Sequence, residues 1–284
     1  MKVLAIGAHG LLGTAFRDTA PTDVTLIAPP HRELDLTDAD AVARALDQAE
    51  PAWVVNCAAF TAVDAAEQDP EAAARLNADA VGALGRLAAA RGVRVLLPGT
   101  DYLFAGESTR PYREDDLPQP RSVYARTKWE GEQLLQASGA RALIVRSGWL
   151  FGRGGRNFPA TMWARARAHT PSAVVDDQRG APTAALDLAE WCWRLIGRGD
   201  DGVVHATNAG SATWFEVAQA AYAAAAWPEG VTVTTTAAFG ARANRPRYSV
   251  LDCSRFDERC PGGRRDWREA LAQYLGTLGA ERAA

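Results

Sequence analysis

Lysine is nearly absent from this 284-residue sequence, which contains only Lys2 and Lys128, because its other basic residues are arginines. The formal net charge is −3 and the sequence pI is about 5.9. A basic surface of the kind that binds nucleic acid is therefore not expected, and a small-molecule partner is favoured. The rarity of lysine also marks Lys128 as a candidate for a specific role.

Long apolar runs and paired cysteines are missing as well. No stretch of about 18 apolar residues occurs, and the opening segment MKVLAIGAHG lacks the charged leader and cleavage site of a secretory signal. We therefore expect a cytoplasmic protein that does not associate with membranes. The cysteines form no CxxC pair and have no clustered histidines nearby, so free thiols and no metal site are expected.

The first half of the chain alternates short β-branched segments with alanine- and leucine-rich segments of helical periodicity. This pattern is typical of a parallel sheet covered by helices, and the nearly continuous apolar strands fit burial on both faces. It predicts an α/β fold with a doubly wound parallel sheet. Strands are predicted over residues 3–7, 24–28, 53–56, 94–99 and 142–147, and helices over 11–19, 39–48, 71–91 and 122–137.

The second half contains glycine-rich loops, such as FGRGGRN and DDQRGAPT, between shorter elements. It predicts a main domain over residues 1–148, completed by parts of the later chain, and a smaller lobe mainly over 149–284. Loops of this lobe would lie at the carboxyl ends of the strands, where open sheets bind ligands. Residues 279–284 are expected to be frayed. Helices are predicted over residues 157–168, 186–196, 215–226 and 267–278, and strands over 173–175, 203–206 and 231–235.

A glycine-rich loop directly follows the first predicted strand and opens the first helix. Gly7, Gly10 and Gly13 give the spacing GxxGxxG. Such glycines allow a tight turn and a close approach of the backbone to a pyrophosphate, which the free amides at the helix N-terminus bind. The loop predicts dinucleotide binding, and hence a Rossmann-type NAD(P)-binding domain.

The segment after the second strand bears on the choice of nicotinamide cofactor. NAD-binding folds often place a carboxylate there for the ribose 2′-hydroxyl, but this sequence reads APPHR. Arg32 is suited to a 2′-phosphate, which favours NADPH over NADH, although a solvated surface arginine is an open alternative. Asp35 is a candidate for the adenine pocket, and its alternative role is to cap the turn that follows.

Tyr124 and Lys128 stand four residues apart and share one face of the predicted helix 122–137. A free tyrosine has a pKa of about 10, and a neighbouring cation lowers it, which suits general acid catalysis. Thr100 ends the preceding strand, where its hydroxyl can hydrogen-bond a substrate carbonyl and the developing alkoxide. The three residues predict a Thr/Tyr/Lys catalytic set.

These residues together resemble the dTDP-4-dehydrorhamnose reductases of the extended short-chain dehydrogenase/reductase superfamily. The TAVDxAE, TDYxF, SGWLFG and DDQxGxPT segments distinguish this family from the related epimerases and dehydratases. The resemblance covers nearly the whole chain, through GAHGLLG, VVNCAAFTAVDAAE, GTDYLFAG, YARTKWEGE, VRSGWLFGRGGRNF, VVDDQRGAPT and RPRYSVLD.

The resemblance implies that NAD(P)H reduces dTDP-4-dehydro-β-L-rhamnose to dTDP-L-rhamnose by hydride transfer to C4. Tyr124 would donate the proton, Lys128 would bind the nicotinamide ribose and tune Tyr124, and Thr100 would polarise the carbonyl. Further cofactor contacts are implied at Gly10, Leu11, Leu12, Asp35, Leu36, Ala59, Phe60 and Thr61. Substrate contacts are implied at Val63, Asp64, Thr100, Asp101, Tyr102 and Trp149, and more weakly at Asn157, Gln178 and Arg245.

Three points stay open at this stage. Some family members form a metal-bridged dimer through a glutamate just after the glycine loop, but Thr14 and Ala15 follow Gly13 here, so a monomer or a homodimer without metal is expected. The substrate of the reductase is either the rhamnose precursor or another dTDP-4-keto-6-deoxyhexose. A non-catalytic regulatory subunit that resembles the reductases is the alternative outside enzymes.

Overall fold

The computed structural model describes the backbone of residues 1–281 and the side chains of residues 1–279. Its twelve strands are β1 (Lys2–Ile6), β2 (Thr25–Ile27), β3 (Trp53–Asn56), β4 (Arg94–Thr100), β5 (Ala142–Ser147), β6 (Leu150–Phe151), β7 (Ser172–Val175), β8 (Arg179–Gly180), β9 (Thr183–Ala184), β10 (Gly202–His205), β11 (Ala212–Thr213) and β12 (Val231–Thr234).

The described helices cover both faces of the main sheet and build the smaller lobe. They are α1 (Leu11–Asp18), α2 (Ala39–Ala49), α3 (Val63–Ala66), α4 (Pro70–Ala74), α5 (Ala80–Ala89), α6 (Val123–Ala137), α7 (Phe158–Arg167), α8 (Ala185–Arg198), α9 (Trp214–Ala224), α10 (Thr236–Phe239), α11 (Ser254–Arg259) and α12 (Trp267–Glu281). None of the helices described within residues 1–281 is long and apolar enough to cross a membrane.

Six strands form one parallel sheet in the order β2-β1-β3-β4-β5-β10. The chain moves outward from β1 to β2 and then returns to β3 on the other side of β1. This reversal creates a crevice at the carboxyl ends of β1 and β3, which is where doubly wound sheets bind ligands. The predicted Rossmann-type fold is confirmed.

Apolar side chains on both faces of the sheet hold it to its helices. Val3 points to one face, where it shares a core with Phe16 and Trp191, while Leu4 points to the other face and packs with Leu46. All five are at most 1% exposed. Such alternation follows from the two-residue repeat of a strand, and burial of both faces explains why the strands are continuously apolar.

The smaller C-terminal lobe consists of the two-stranded pairs β6-β9, β7-β12 and β8-β11 with helices α7, α9 and α12. Its own core contains Trp163, Tyr222 and Trp267. Strand β10 leaves this region and joins the edge of the main sheet beside β5. The later chain therefore contributes to the main sheet, and the division at residue 148 stays a prediction.

The helix predicted over residues 71–91 contains an irregular turn. Helices α4 and α5 are joined by a π-helical segment, Arg75–Asp79, in which one extra residue widens the turn. Helix α6 approaches it closely, because a Cβ at Gly131 would lie 2.0 Å from the Asn77 carbonyl oxygen. Periodicity alone does not reveal this distortion, which packs against a residue 54 positions away in the chain.

The other predicted elements agree with the structure to within two residues at either end, apart from the last helix. That helix extends to Glu281 rather than ending at residue 278, which replaces the predicted fraying of residues 279–281. Residues 282–284 of that prediction lie outside the described residues. The two-residue strands and the helices α3, α10 and α11 were not predicted, because they are too short to show a repeat.

Candidate active site

The glycine-rich loop supplies a narrow turn with an open helix end. Gly7 has φ +72°, and a Cβ at Gly7 or Gly13 would collide with backbone atoms at 2.5 and 2.3 Å. Gly10 has room on the side where a Cβ would point, and as the N-cap of α1 it offers no side-chain cap to the first turn. The N-terminal amides of α1 are thus free to bind an anion.

A cleft of about 420 Å³ lies at the carboxyl ends of β1, β3, β4 and β5. It contains the open end of the glycine loop and the predicted catalytic residues in one space. Of the predicted site residues, those lining it are Gly10, Leu11, Leu12, Ala59, Thr61, Val63, Thr100, Asp101, Tyr102, Tyr124, Lys128 and Trp149.

Tyr124 and Lys128 lie one turn apart on α6, whose start is fixed by the Ser122 hydroxyl accepting from the amide of Ala125 at 3.2 Å. The Lys128 ammonium is buried and donates to the Pro98 carbonyl oxygen at 2.8 Å. Thr100 ends β4 and hydrogen-bonds Tyr124. The structure therefore brings the three predicted catalytic side chains to one edge of the sheet.

The pKa of Tyr124 shifts in the direction opposite to the prediction. Burial raises it to about 12, the hydrogen bond with Thr100 lowers it, and the charges of Asp101 and Glu132 raise it. The Lys128 ammonium is directed at the Pro98 carbonyl and is not among the groups that lower this pKa. The phenol consequently stays protonated at neutral pH, which is the form a proton donor requires.

Asp101 is a carboxyl group at the floor of the cleft and is only 2% exposed. Burial raises its pKa to about 7, against the hydrogen bond from the Ser249 hydroxyl, whose oxygen lies 2.5 Å from Oδ2. The Thr100 hydroxyl lies 3.4 Å from the other oxygen. A group that changes charge near neutral pH therefore stands beside the Thr100–Tyr124 pair.

This raised pKa predicts a pH-dependent stability. Between pH about 4 and about 7 the folded chain keeps a proton on Asp101 that the unfolded chain has lost, so stability falls as pH rises through this window and is level above it. Asp101→Asn should remove this loss, which amounts to a few kcal/mol at most. Urea unfolding of both proteins at several pH values measures it, and identical pH dependences would contradict the prediction.

Asn77 was missed by sequence reasoning although it holds the loop at residues 59–61, beside the cleft, in place. Its side chain accepts from the amide of Phe60 at 2.8 Å, donates to the Phe60 carbonyl at 3.1 Å and donates to the Thr127 hydroxyl at 3.1 Å. The Phe60 ring itself packs with Val123 and Tyr124 rather than lining the cleft. Asn77 thereby ties the 59–61 loop to α6, and no local motif marks it.

Trp149 lies at the far wall of the cleft in a strained conformation, with φ 51°. Its indole stacks on Trp214, with ring centroids 3.6 Å apart and planes within 2°. Trp214 therefore covers one face of Trp149, and Gly180 also lies against the indole, because a Cβ there would lie 2.4 Å from Cε2. Sequence reasoning also missed Trp214. It directly follows the helix N-cap Thr213, and the sequence around such a cap does not indicate a ligand site.

A second cavity of about 570 Å³ adjoins the first, since Phe158 and Trp214 line both. Its lining is mainly apolar and includes the predicted residues Gln178 and Arg245. Gln178 is already engaged, because it donates to the Thr236 hydroxyl at 2.8 Å and accepts from the Trp214 indole at 3.2 Å. The cavity thus combines aromatic walls with a cation at its edge.

Asp64 and Arg245, predicted as separate substrate contacts, bind each other. Their side chains meet at 2.6 and 3.1 Å, and the amide of Ala243 donates to Asp64 at 3.0 Å. The hydrogen bond from Arg245 lowers the pKa of Asp64. This pair joins the segment at residues 241–247, which follows α10, to α3, and Asp64 lines neither cavity.

Six other predicted ligand residues lie outside both cavities, and two of them, Gly7 and Gly13, form the tight turn of the glycine-rich loop. Asn157 caps α7 and donates to the carbonyl of Gly152 at 2.8 Å, so its predicted diphosphate contact is not supported. Asp35 accepts from Thr37 as a turn cap, and the Leu36 side chain is buried in the core. Arg32 is exposed on the surface beside Glu33.

Comparisons with known proteins agree with this arrangement. The family model described as the RmlD substrate binding domain matches residues 1–279. A Streptomyces antibioticus protein named "Probable dTDP-4,6-dihydroxy-2-methyloxan-3-one 4-ketoreductase" is 44% identical over 280 residues, covering 96% of this chain and 94% of its own. The dTDP-4-dehydrorhamnose reductase of Streptomyces griseus is 41% identical over 285 residues, covering 97% and 93%.

Solved structures show the same similarity. The crystal structure of dTDP-4-dehydrorhamnose reductase from Bacillus anthracis, in complex with NADP, matches with a TM-score of 0.94 and 30% identity. The match covers 97% of this chain and 99% of that chain. Both the fold and the order of its elements are therefore shared over almost the full length.

Proposed function

We propose that this chain, which belongs to the dTDP-4-dehydrorhamnose reductase family, reduces the C4 ketone of dTDP-4-dehydro-β-L-rhamnose with NADPH or NADH. The observation that carries the proposal is the meeting of Thr100, Tyr124 and Lys128 in the cleft that also contains the open end of the glycine loop. A proton donor and an anion-binding helix end in one space are what a ketone reductase needs.

The cleft suits a nicotinamide dinucleotide. The glycine loop leaves no room for side chains at Gly7 and Gly13, and the amides at Leu11 and Leu12 begin an uncapped helix. These amides would hold the pyrophosphate, and Lys128 would bind the nicotinamide ribose. When bound, NADPH supplies the hydride that reduces the carbonyl carbon.

Tyr124 would donate the proton to the carbonyl oxygen of the substrate. Because burial keeps its pKa at about 12, the phenol carries its proton until negative charge develops on that oxygen. The Thr100 hydroxyl would hydrogen-bond the same oxygen and stabilise the developing alkoxide. Lys128, held by the Pro98 carbonyl, would act on the nicotinamide ribose rather than on the pKa of the phenol.

The nucleotide part of the substrate would occupy the second cavity. Its aromatic and apolar walls suit a base, and Arg245 at its edge suits a diphosphate. Arg245 would exchange its contact with Asp64 for the phosphate oxygens. Trp149, which lines the first cleft, would contact the sugar ring, and residues 149–284 would then act mainly as the substrate-binding lobe.

Arg32 offers a test of the cofactor preference. If it binds the 2′-phosphate of NADPH, Arg32→Ala should weaken NADPH binding by about 10- to 100-fold, the range for a lost charge-assisted hydrogen bond, and leave NADH nearly unchanged. Arg44→Ala removes an exposed arginine from the following helix and serves as the matched control. Equal losses for both cofactors would show that Arg32 does not contact the 2′-phosphate.

A second substrate is favoured by the most identical of the relatives quoted above, the Streptomyces antibioticus protein. The substrate given in its name is a 6-deoxy-4-ketohexose ring without a hydroxyl at C2. We therefore expect turnover of dTDP-4-keto sugars with and without that hydroxyl to separate the two candidates.

The decisive assay follows oxidation of NADPH and NADH by the purified protein with both dTDP-4-keto sugars, and identifies each product by NMR. The rhamnose assignment predicts a higher kcat/KM for the sugar that carries the C2 hydroxyl. A higher kcat/KM for the 2-deoxy sugar would instead assign the second candidate. Cofactor binding without oxidation of either cofactor would contradict a reductase.

A further inference from the structure

The loop at residues 152–157 of the smaller lobe lies directly against the start of α1. A Cβ at Gly154, which has φ +83°, would lie 2.2 Å from the Thr14 hydroxyl, and a Cβ at Gly155 would lie 3.1 Å from the Leu11 Cβ. Such an approach is possible only because both positions lack side chains. The loop therefore borders the helix end that would hold the cofactor pyrophosphate.

Asn157 holds the shape of this loop. Its side-chain amide donates to the carbonyl oxygens of Gly152 and Gly155 at 2.8 and 3.3 Å, and its carbonyl oxygen accepts from the amide of Ala160 at 3.0 Å. The Tyr274 hydroxyl also donates to the Gly152 carbonyl at 3.0 Å. The backbone of the residue between Gly155 and Asn157 is thus held in place on both sides.

That residue is Arg156, whose side chain is exposed and lines the same cleft as Gly10, Leu11 and Leu12. Lys128 is the other cationic side chain in this lining, and it is engaged with the Pro98 carbonyl. No ion pair or hydrogen bond of the Arg156 side chain is found among the residues that the structure describes. Arg156 is therefore an available cation at the anion-binding end of the cleft.

We propose that Arg156 binds the pyrophosphate of the nicotinamide cofactor, so that the smaller lobe contributes a cationic side chain to the cofactor site. This inference rests on the proposed function. The amides of α1 supply only a partial positive charge, about half an elementary charge, whereas a pyrophosphate carries about two negative charges. A guanidinium forms paired hydrogen bonds with phosphate oxygens and supplies the remaining attraction.

The test compares NADPH binding by the wild-type protein with that of Arg156→Ala, Arg156→Lys and Arg153→Ala. Arg153 lies on the same loop and is exposed, but it does not line the cleft, so its variant is the matched control. Quenching of tryptophan fluorescence gives the dissociation constant directly, since Trp149 and Trp214 line the cleft. Thermal unfolding checks that each variant is folded.

We expect Arg156→Ala to raise the dissociation constant of NADPH by about 10- to 100-fold, the range for a lost charge-assisted hydrogen bond. Arg156→Lys should fall between it and the wild type, because a lysine keeps the charge but not the paired geometry. Arg153→Ala should bind as the wild type does. Higher salt should reduce the difference between Arg156→Ala and the wild type.

Wild-type NADPH affinity in Arg156→Ala would overturn the inference while leaving the proposed function intact. If the same variant also had a raised KM for the nucleotide sugar, Arg156 would instead be assigned to the substrate diphosphate. Failure of the wild-type protein itself to bind NADPH or NADH would instead overturn the proposed function.

Discussion

Replacing Tyr124 with phenylalanine should lower kcat for reduction of the keto sugar by about 10²- to 10⁴-fold, the usual contribution of a general acid. The change removes the hydroxyl that would donate the proton and keeps the ring, which packs with Phe60 and Val123. Affinity for NADPH should change much less, because the glycine loop and Lys128 remain. Steady-state kinetics and a separate binding titration measure the two effects.

Tyr102→Phe is the comparison for this variant. Tyr102 also lines the cleft, and its ring lies edge-on to Tyr124 with centroids 6.2 Å apart. Removing its hydroxyl should lower kcat less than Tyr124→Phe does, because Tyr102 is not the proton donor. If Tyr124→Phe kept kcat within about tenfold of the wild type, or if the two variants were equally impaired, the proton would have to come from another group.

Replacing Glu132 with alanine should destabilise the protein by about 3–5 kcal/mol, the cost of leaving a buried charge without its partner. Glu132 accepts from the Arg146 guanidinium at 2.8 and 3.0 Å, and the two side chains are 0% and 3% exposed. The alanine variant would leave Arg146 between the rings of Phe104 and Trp129 with no carboxylate. Urea unfolding measures the free energy of unfolding.

Two further variants show whether burial causes this effect. Asp47→Ala breaks an ion pair with Arg91 at the protein surface, and it should lower the stability much less than Glu132→Ala does. Glu132→Gln keeps hydrogen-bond acceptors for Arg146 without the negative charge, and it should fall between the wild type and Glu132→Ala. A similar loss for Glu132→Ala and Asp47→Ala would contradict the expected cost of burying an unpaired arginine.

Glu132 also connects the stability of the protein to its chemistry. It lies one turn beyond Lys128 on α6, and its negative charge raises the pKa of Lys128 against the lowering caused by burial. Burial raises the pKa of Glu132 itself, and the Arg146 guanidinium opposes that rise. The ion pair therefore holds the buried helix face that carries both Tyr124 and Lys128.

Most of the fold and the pairing of Tyr124 with Lys128 were determined by the sequence itself. Strand and helix repeats are local, glycine positions in a strand–loop–helix unit specify the tight turn, and a spacing of four residues places two side chains on one helix face. The caps at Ser122 and Asn157 set the starts of α6 and α7 through contacts within three residues. These features need only short-range geometry.

The tertiary structure alone decided how the side chains of the site are engaged. Asp64 is bound to Arg245 across 181 positions of the chain, and Asn77 reaches Thr127 across 50. Trp214 occupies one face of Trp149. No local pattern contains such contacts, because they form only when separate elements pack together. The pKa of Tyr124 rises for the same reason, since burial is produced by the whole fold and outweighs the lowering by the Thr100 hydroxyl.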